Sequence, residues 1–262
     1  MDWALPAGVQ AVCTTRVGGV SQVPFDGFNL GDHVQDDPQA VAQNRALLQT
    51  QLGGARAVFL KQVHGVDVAQ LNIATPDGTH ADACVTQESR VACTIMVADC
   101  LPLMFTDDVG RVVAAAHAGW RGLAAGVLER TVHGVCEQAG VAPAQVRVWL
   151  GPCIGPDAFE VGDDVRQAFT ALDAPQADKA AGYFKPHPSH PNKWLADLAG
   201  LARLRLAALG VTSVAGNDSS PEWCTVSQRS RLFSYRRDGV TGRFAVRSEE
   251  HTSELQSRQC IS

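Results

Sequence analysis

Short apolar runs rich in Val and Ala mark the middle of this chain and constrain its fold more than any other sequence feature. The runs Ala83–Thr86, Val91–Val97, 111–116 and Val146–Leu150 have the length and β-branched content of buried strands. Helical segments lie between them without regular alternation, and no G-x-G-x-x-G follows the first strand. The pattern therefore disfavours a dinucleotide-binding fold and predicts an α/β sandwich with a mixed or mostly antiparallel sheet.

The local signals for helices are equally specific. Acidic residues 36–37 followed by Pro38 predict a helix start, and the helix should continue to the glycines at 53–54. A single helix is predicted over 123–139, closed by Gly140, and residues 157–172 are predicted to be mainly helical. A late strand is predicted over 231–237.

Composition limits the classes of protein to which this chain can belong. With 262 residues and 45% hydrophobic residues, the chain can form one large domain, which we predict to span 1–246. The net charge of -5 is spread without a block of like charge, so neither a nucleic acid nor an anionic membrane is an expected partner. The N-terminus lacks the pattern of a signal peptide, which makes the cytoplasm the expected location and reduced thiols the expected state of the 8 cysteines.

The last sixteen residues, 247–262, follow abruptly on what reads as a strand in progress and have no apolar periodicity. Their sequence, RSEEHTSELQSRQCIS, resembles the translation of a common sequencing-library adapter. We therefore predict that this segment is not native and exclude its His251 and Cys260 from the candidate site.

Polar residues with metal-ligand chemistry stand where apolar strands end. They are His64, Cys100 and His117. Two imidazoles and a thiolate suit Zn²⁺ and leave a fourth position open, as in catalytic zinc sites. The residues alone also permit a metal-free nucleophile, in which Cys100 attacks, a histidine takes its proton and Asp99 orients the base. A third interpretation makes them ordinary polar histidines and a core cysteine.

Copper chemistry of the multicopper type is not expected. Such centres need around ten copper ligands, typically in H-x-H pairs, whereas this chain has 8 histidines and no H-x-H. Copper at a His/Cys site would therefore be adventitious.

Several further residues suit an anionic or aromatic substrate. Arg16 lies beside a Gly-Gly pair, and Arg121 stands at the start of a predicted helix, where anions bind favourably. Trp120 could stack on a flat ring, and Gly119 marks a tight turn that lets the backbone approach a ligand. The remaining candidates for phosphate or ribose contacts are Arg45 and Lys61.

These residues belong to an ordered set of motifs: TTRxGGVS, NLGxHVxDD, KQVHG, ADCxP, HAGWRG, GPCIG and YRRDGxTGR, over about residues 9 to 245. In this set the chain resembles the laccase-domain purine nucleoside phosphorylase family. Its members were formerly labelled multicopper polyphenol oxidases, and some are called peptidoglycan editing factors.

The resemblance implies an α/β/β/α sandwich related to that of certain bacterial toxin deamidases. It implies zinc held by His64, Cys100 and His117. Because deamination needs a metal-activated water and a proton shuttle, Asp99 is a candidate shuttle or, instead, the partner that orients a histidine. It implies phosphorolysis of adenosine, inosine and 5′-methylthioadenosine, with some deamination of adenosine. The matching motifs also make Asn29 and Gln62 candidate substrate contacts.

Two other functions stay open at this level. One is a Cys-dependent amidase or hydrolase that acts on cell-wall intermediates, and the other is a zinc-binding partner protein without catalysis.

Overall fold

The computed structural model describes residues 3–50, 54–171 and 174–250. Its strands are β1 (Val9–Cys13), β2 (Arg56–Phe59), β3 (Val68–Gln70), β4 (Ala83–Thr86), β5 (Val91–Val97), β6 (Leu101–Asp107), β7 (Val113–Ala118), β8 (Val146–Leu150), β9 (Glu160–Gly162), β10 (Phe184–Pro186), β11 (Lys193–Ala196), β12 (Ser213–Gly216) and β13 (Phe244–Glu250). Its helices are α1 (Pro38–Thr50), α2 (Trp120–Ala125), α3 (Val127–Ala139), α4 (Asp163–Thr170), α5 (Ala174–Ala181), α6 (Leu198–Ala208) and α7 (Tyr235–Asp238).

Two sheets face each other, and helices cover the outer side of both. The first sheet has the order β1-β13-β5-β2 and the second the order β12-β8-β6-β7-β4-β3. Apolar side chains that include Val58, Ile95, Val113 and Trp149 pack between the sheets. Leu48 of α1 packs against the outer face of the first sheet, while α3 and α6 cover the second. These layers confirm the predicted α/β/β/α arrangement.

The pairing of the strands is mixed, as predicted. β2 pairs with β5, β3 with β4 and β8 with β12 in parallel, whereas β5 with β13 and β6 with both β7 and β8 are antiparallel. A small antiparallel sheet with the order β10-β11-β9 is formed by the chain between β8 and β12 of the second sheet. None of the helices in the described ranges is long and apolar enough to cross a membrane.

Three local predictions differ from the structure. The predicted helix over 123–139 is divided into α2 and α3 at Gly126, whose φ of 104° lies in the left-handed region and interrupts the helix. Residues 157–172 contain β9 before α4, because Glu160–Gly162 pairs with β11. Residues 231–237 form no strand, since Ser234 caps the short helix α7 by accepting a hydrogen bond from Arg237 N.

β13 continues beyond Val246 to Glu250 and pairs with β1 on one side and β5 on the other. Arg247 is buried in this strand, where its Nη2 donates to Ala55 O and to the Glu249 carboxylate. Its Nε and Nη1 have no hydrogen-bond partner within the described ranges. The single domain over 1–246 and the non-native segment after it stay predictions, and His251 and Cys260 lie outside the described residues.

Candidate active site

The seam between the two sheets brings His64, Cys100 and His117 together. His64 lies in the turn that follows β2, and Cys100 lies between β5 of the first sheet and β6 of the second. His117 lies within β7 rather than after it, and pairs with Pro102 of β6. Because the chain crosses from one sheet to the other at Cys100, residues far apart in the sequence meet at this point.

The donor atoms of these side chains form a group that can hold one metal ion. They all lie within 4.8 Å of one another, and Cys100 Sγ is 3.8 Å from His64 Nε2. Zinc bonds of about 2.3 Å to sulfur and 2.0 Å to nitrogen separate tetrahedral ligands by roughly 3.5 Å. His117 is buried, whereas His64 is exposed and Cys100 half-buried, so solvent reaches the group from one side.

A buried carboxylate that the sequence analysis missed, Asp82, organises this group. Its Oδ1 accepts hydrogen bonds from His117 Nδ1 at 2.8 Å and from His64 N at 2.8 Å. Its Oδ2 accepts from Gly65 N at 2.7 Å and Val63 N at 3.1 Å. Because a carboxylate only accepts, Nδ1 of His117 keeps its proton, and Nε2 is the ring nitrogen that binds a metal once it loses its own proton.

The charges of this group stabilise one another. Burial alone would raise the pKa of the Cys100 thiol, but the charge and hydrogen bond of His117, aided by His64, lower it to about 6. Burial would lower the pKa of His117, but Cys100 and Asp82 raise it to about 9. Burial would also raise the pKa of Asp82, yet the His117 and backbone hydrogen bonds keep it below its usual range. The thiolate that zinc requires is therefore the favoured form of Cys100 at neutral pH.

Gly119 and Gly122 let the backbone pass close to the metal-ligating group, while the predicted approach of Gly119 to a ligand stays a prediction. A Cβ added at Gly119 would lie 2.8 Å from His64 Cδ2 and 3.0 Å from Cys100 Sγ. A Cβ at Gly122 would lie 2.8 Å from Gly65 O. No side chain larger than hydrogen fits at either position without displacing the histidine turn.

The Asp99 carboxylate stabilises the turn that contains Cys100. It does not orient a histidine ring. Its Oδ1 accepts from Thr225 Oγ1 at 2.5 Å and its Oδ2 from Arg236 N at 2.6 Å. The φ of Asp99 is 100°, an uncommon conformation for a residue other than glycine. The orientation of a histidine, one of the two roles expected of Asp99, is performed by Asp82, and a role in proton transfer stays a prediction.

Some of the predicted substrate contacts are occupied within the protein. Arg16 donates to Asp26 O, the Asp26 carboxylate and Arg229 O. Asn29 is fully buried, and its side chain bonds the backbone of Gly31. The amide of Gln62 donates to Met96 O and accepts from Met96 N. Direct substrate contact by these residues stays a prediction.

The other predicted contacts are more accessible. Lys61 is exposed and forms a β-bridge with His80. The Arg121 guanidinium stacks on the ring of Trp120 with its Cζ 4.4 Å from the ring centroid. Arg45 is half-buried, with its Cζ 4.0 Å from the centroid of the Phe59 ring. Their roles towards substrate also stay predictions.

A second group with metal-ligand chemistry lies on the small sheet and consists of Glu160, His187 and His190. His187 Nδ1 accepts hydrogen bonds from the backbone N–H of Ser189 at 3.1 Å and of His190 at 3.0 Å. The proton of the neutral His187 ring therefore lies on Nε2, 3.3 Å from Glu160 Oε2. Since this nitrogen has no free lone pair, the group forms a hydrogen-bonded cluster better than a metal site.

The four-layered fold and the His/Cys/His group at its seam agree with the family found by comparison. The chain belongs to the family described as multi-copper polyphenol oxidoreductase laccase, whose model matches residues 10–247. That description does not define the metal of the site, because the sequence contains no H-x-H pair of the kind that a multicopper centre uses.

Relatives within this family carry the name of an enzyme. The chain is 52% identical over 245 residues to the purine nucleoside phosphorylase PA4543 of Pseudomonas aeruginosa, covering 93% of this chain and 94% of that protein. It is 46% identical over 246 residues to the purine nucleoside phosphorylase YfiH of Escherichia coli, covering 93% and 95%. The crystal structure of Neisseria meningitidis protein NMB0706 matches with a TM-score of 0.87 at 45% identity, covering 95% of this chain and 97% of that one.

Proposed function

We propose that this protein is a zinc-dependent purine nucleoside phosphorylase of the cytoplasm that also deaminates adenosine. Its substrates are adenosine, inosine and 5′-methylthioadenosine, together with phosphate. The observation that carries the proposal is the group of His64, Cys100 and His117, ordered by Asp82, in a chain similar over nearly its whole length to proteins named for this activity.

The residues of the site fit a catalytic zinc better than a structural one. Zinc would be held by His64 Nε2, Cys100 Sγ and His117 Nε2, and would supply a Lewis acid with one coordination position open to substrate. Asp82 fixes the ring of His117 and the turn of His64, which keeps their donor atoms aimed at one point. The exposed side of the group is where a nucleoside would enter.

Phosphorolysis requires two reactants to be held in line at the C1′ carbon of the sugar. A phosphate oxygen forms a bond to C1′, the C1′–N9 bond breaks, and its electron pair goes to the purine, which takes up a proton. The chain accelerates this step chiefly by position and charge, because bringing bound reactants together removes most of the entropic barrier. Trp120 lies next to Gly119 at the site and is a candidate platform for the purine ring.

Deamination replaces the amino group at C6 of adenosine with oxygen from water and releases ammonia. It needs a group that takes the proton from water and a group that gives one to the leaving amine. Asp99, adjacent to Cys100, is our candidate for moving these protons, because Cys100 and His117 would give up their own protons on binding zinc.

Incubation of the purified protein with adenosine, with and without phosphate, tests the proposed function. We expect adenine and ribose 1-phosphate only when phosphate is present, and inosine in both reactions. Adenine and inosine are separated from adenosine by liquid chromatography. Failure to convert any purine nucleoside, in zinc-loaded protein with phosphate, would contradict the proposal.

Substitution of the metal ligand tests the role of zinc. Cys100→Ala should remove both the activity and about one equivalent of zinc per chain. Cys136→Ala is the matched control, because Cys136 is half-buried on α3 and belongs to neither metal-ligating group. Loss of activity with zinc fully retained in Cys100→Ala would favour a nucleophilic role for the thiolate instead.

A Cys–His amidase or hydrolase is the second candidate, and one observation favours it. The lowered pKa of Cys100 and its 3.8 Å separation from His64 Nε2 describe an activated thiolate even without metal. Activity on an amide substrate that survives complete chelation but is abolished in Cys100→Ala would support this candidate. Activity restored by zinc after chelation would support the phosphorylase.

A further inference from the structure

Arg243 is a half-buried cation near the metal-ligating group that the sequence analysis did not select. Burial lowers the pKa of its guanidinium, while the nearby charges of Cys100, Asp99 and Tyr235 act in the opposite direction. Its Nη1 donates to Thr241 O and Gly242 O at 3.0 Å each. Within the described part of the chain, no carboxylate forms an ion pair with Arg243 and no hydrogen bond uses its Nε or Nη2.

The segment 30–33 lies between Arg243 and a second arginine, Arg45. Leu30 N donates to Arg243 O at 3.0 Å, and Leu30 O accepts from Arg45 Nε at 3.0 Å. The stem of Arg243 covers Gly31, where an added Cβ would come within 2.7 Å of Arg243 Cγ. Glycine at position 31 is therefore what allows Arg243 to lie against this segment.

Asp32 and His33 complete the cluster. Asp32 Oδ2 is 3.2 Å from Arg45 Nη2, and Asp32 Oδ1 is 3.5 Å from His33 Nδ1. Partial burial and the Arg243 charge lower the pKa of His33, which leaves its ring neutral at pH 7. Asp32 pairs with Arg45, and Asp99, whose charge reaches Arg243, makes its hydrogen bonds to Thr225 and Arg236 N, so in the described ranges no carboxylate occupies the Arg243 guanidinium.

The register of the strands places this cluster beside the metal-ligating group. Phe244 of β13 pairs with Val97 of β5, so Arg243 lies level with Ala98, two residues before Cys100. Met96 of the same strand contacts Arg45 through its sulfur at 3.9 Å. Met96 also bonds the side chain of Gln62, two residues before His64. Both arginines therefore border the metal-ligating group from the side of β5 and β13.

Two other arginines near the site, Arg237 and Arg16, have most of their donors in use. Arg237 donates to the Asp238 carboxylate and to the carbonyl groups of Thr225, Val226 and Leu232. Arg16 is bonded to Asp26 and Arg229. In the described ranges, by contrast, Arg45 Nη1 makes no hydrogen bond, so Arg45 and Arg243 both keep N–H groups for a ligand.

We propose that Arg243, Arg45 and His33 form the subsite for inorganic phosphate, the nucleophile of phosphorolysis. This inference rests on the proposed phosphorylase function and adds to it the place where the second substrate binds. Guanidinium groups hold phosphate oxygens through paired, charge-assisted hydrogen bonds, and the unprotonated Nε2 of neutral His33 accepts from the hydroxyl of a hydrogen phosphate. A phosphate held here lies next to the metal-ligating group, where the nucleoside would expose C1′.

Binding of phosphate itself tests the subsite without relying on turnover. The midpoint of thermal unfolding of the zinc-loaded protein is measured with increasing inorganic phosphate, and separately with ribose 5-phosphate at matched ionic strength. Inorganic phosphate should raise the midpoint of the wild type, because a ligand that binds only the folded state stabilises it. Arg243→Met should lose this rise, whereas Arg130→Met, which removes an exposed arginine of α3, should keep it.

Initial rates test the same residues in catalysis. Arg243→Met and Arg45→Met should each raise the KM for phosphate about 10- to 100-fold, as expected for loss of a charge-assisted contact. The KM for adenosine should change less than about threefold, because the arginines bind the other substrate. Arg243→Lys, which keeps the charge but not the paired donors, should lie between the wild type and Arg243→Met.

The outcomes separate this inference from the proposed function. Phosphate-dependent turnover with an unchanged KM for phosphate in the folded Arg243 and Arg45 variants would overturn the subsite and leave the phosphorylase proposal standing. Stabilisation by phosphate that depends on Arg243, in a protein that turns over no nucleoside, would support an anion site and overturn the phosphorylase. Stabilisation by ribose 5-phosphate but not by inorganic phosphate would overturn the inference, because the site would then serve a phosphorylated substrate.

Discussion

Asp82→Asn isolates the contribution of the buried carboxylate to the metal-ligating group. Asparagine keeps the shape of aspartate but has one acceptor oxygen, so two of the four donors that meet at Asp82 lose their acceptor. If the remaining oxygen takes the Oδ1 position, Val63 N and Gly65 N are unsatisfied. If it takes the Oδ2 position, His64 N and His117 Nδ1 are unsatisfied. Either choice disturbs the turn or the ring that holds the metal.

The expected losses of folding stability and of zinc affinity in Asp82→Asn follow from these contacts. Two partly buried donors without partners cost at most about 3 kcal/mol each, which predicts a loss of up to roughly 6 kcal/mol in the free energy of unfolding. Loss of the carboxylate that orients a ligating histidine lowers metal affinity by about 10- to 100-fold, or roughly 1.4–2.8 kcal/mol. Zinc affinity is measured by competition with a chromophoric chelator, and stability by urea unfolding of the metal-free protein.

Asp107→Asn is the matched control for this prediction. Asp107 is also fully buried and accepts hydrogen bonds from Arg111 N, Arg111 Nε and Val112 N. It ends β6, whose seven residues separate it from Cys100 by roughly 20 Å. Asp107→Asn should destabilise the protein without changing zinc affinity. Equal zinc affinity in the wild type and in folded Asp82→Asn would refute the assigned role of Asp82.

Asp82 also predicts how stability depends on pH. Its pKa in the folded protein lies below the usual value of 3.8, so it stabilises the fold fully above about pH 4 and progressively less as pH falls below that value. In metal-free protein, the free energy of unfolding should therefore decrease more steeply between about pH 4 and pH 3 for the wild type than for Asp82→Asn. Parallel pH profiles would contradict this prediction.

Two further substitution and labelling experiments examine the same site. Gly119→Ala should weaken zinc binding, because the added Cβ meets His64 and Cys100 at 2.8 Å and 3.0 Å. Gly134→Ala is the control. Its added Cβ inside α3 has no neighbour nearer than 3.8 Å, so this substitution should stabilise the protein by up to about 1 kcal/mol. Alkylation of Cys100 by iodoacetamide in metal-free protein should reach half its maximal rate near pH 6, since the thiolate reacts and its pKa is about 6. Cys136, whose pKa is raised by burial, should react only at more alkaline pH, and equal pH profiles for the two thiols would contradict the assigned ion pair.

Much of the secondary structure was predictable because its signals are local. β4, β5 and β8 begin and end at the residues predicted from apolar runs, and α1 begins at Pro38 after its acidic residues. The break at Gly126 was missed, because a single glycine in a helical pattern does not reveal a positive φ. The strand predicted over 231–237 was wrong because hydrogen bonding by Ser234 and Asp99 outweighs the β-propensity of the segment.

The sequence by itself determined the chemistry available to the site. It specified two imidazoles and a thiol at the ends or edges of apolar strands, and the glycines that allow the backbone to approach them. That the two imidazoles and the thiol lie close together could be expected, because buried strands that end in polar residues tend to expose those residues at one edge of a sheet.

Only the tertiary structure decided which charged residues serve that site. Asp82 acquires its role through partners 17 to 35 positions away in the chain, and Arg243 through the register of β13 against β5. Asp99 is adjacent to Cys100 in the sequence, yet its carboxylate bonds Thr225 and the Arg236 backbone. The physical reason is that a hydrogen bond or ion pair depends on distance and direction in space, which the packing of sheets fixes and sequence separation does not.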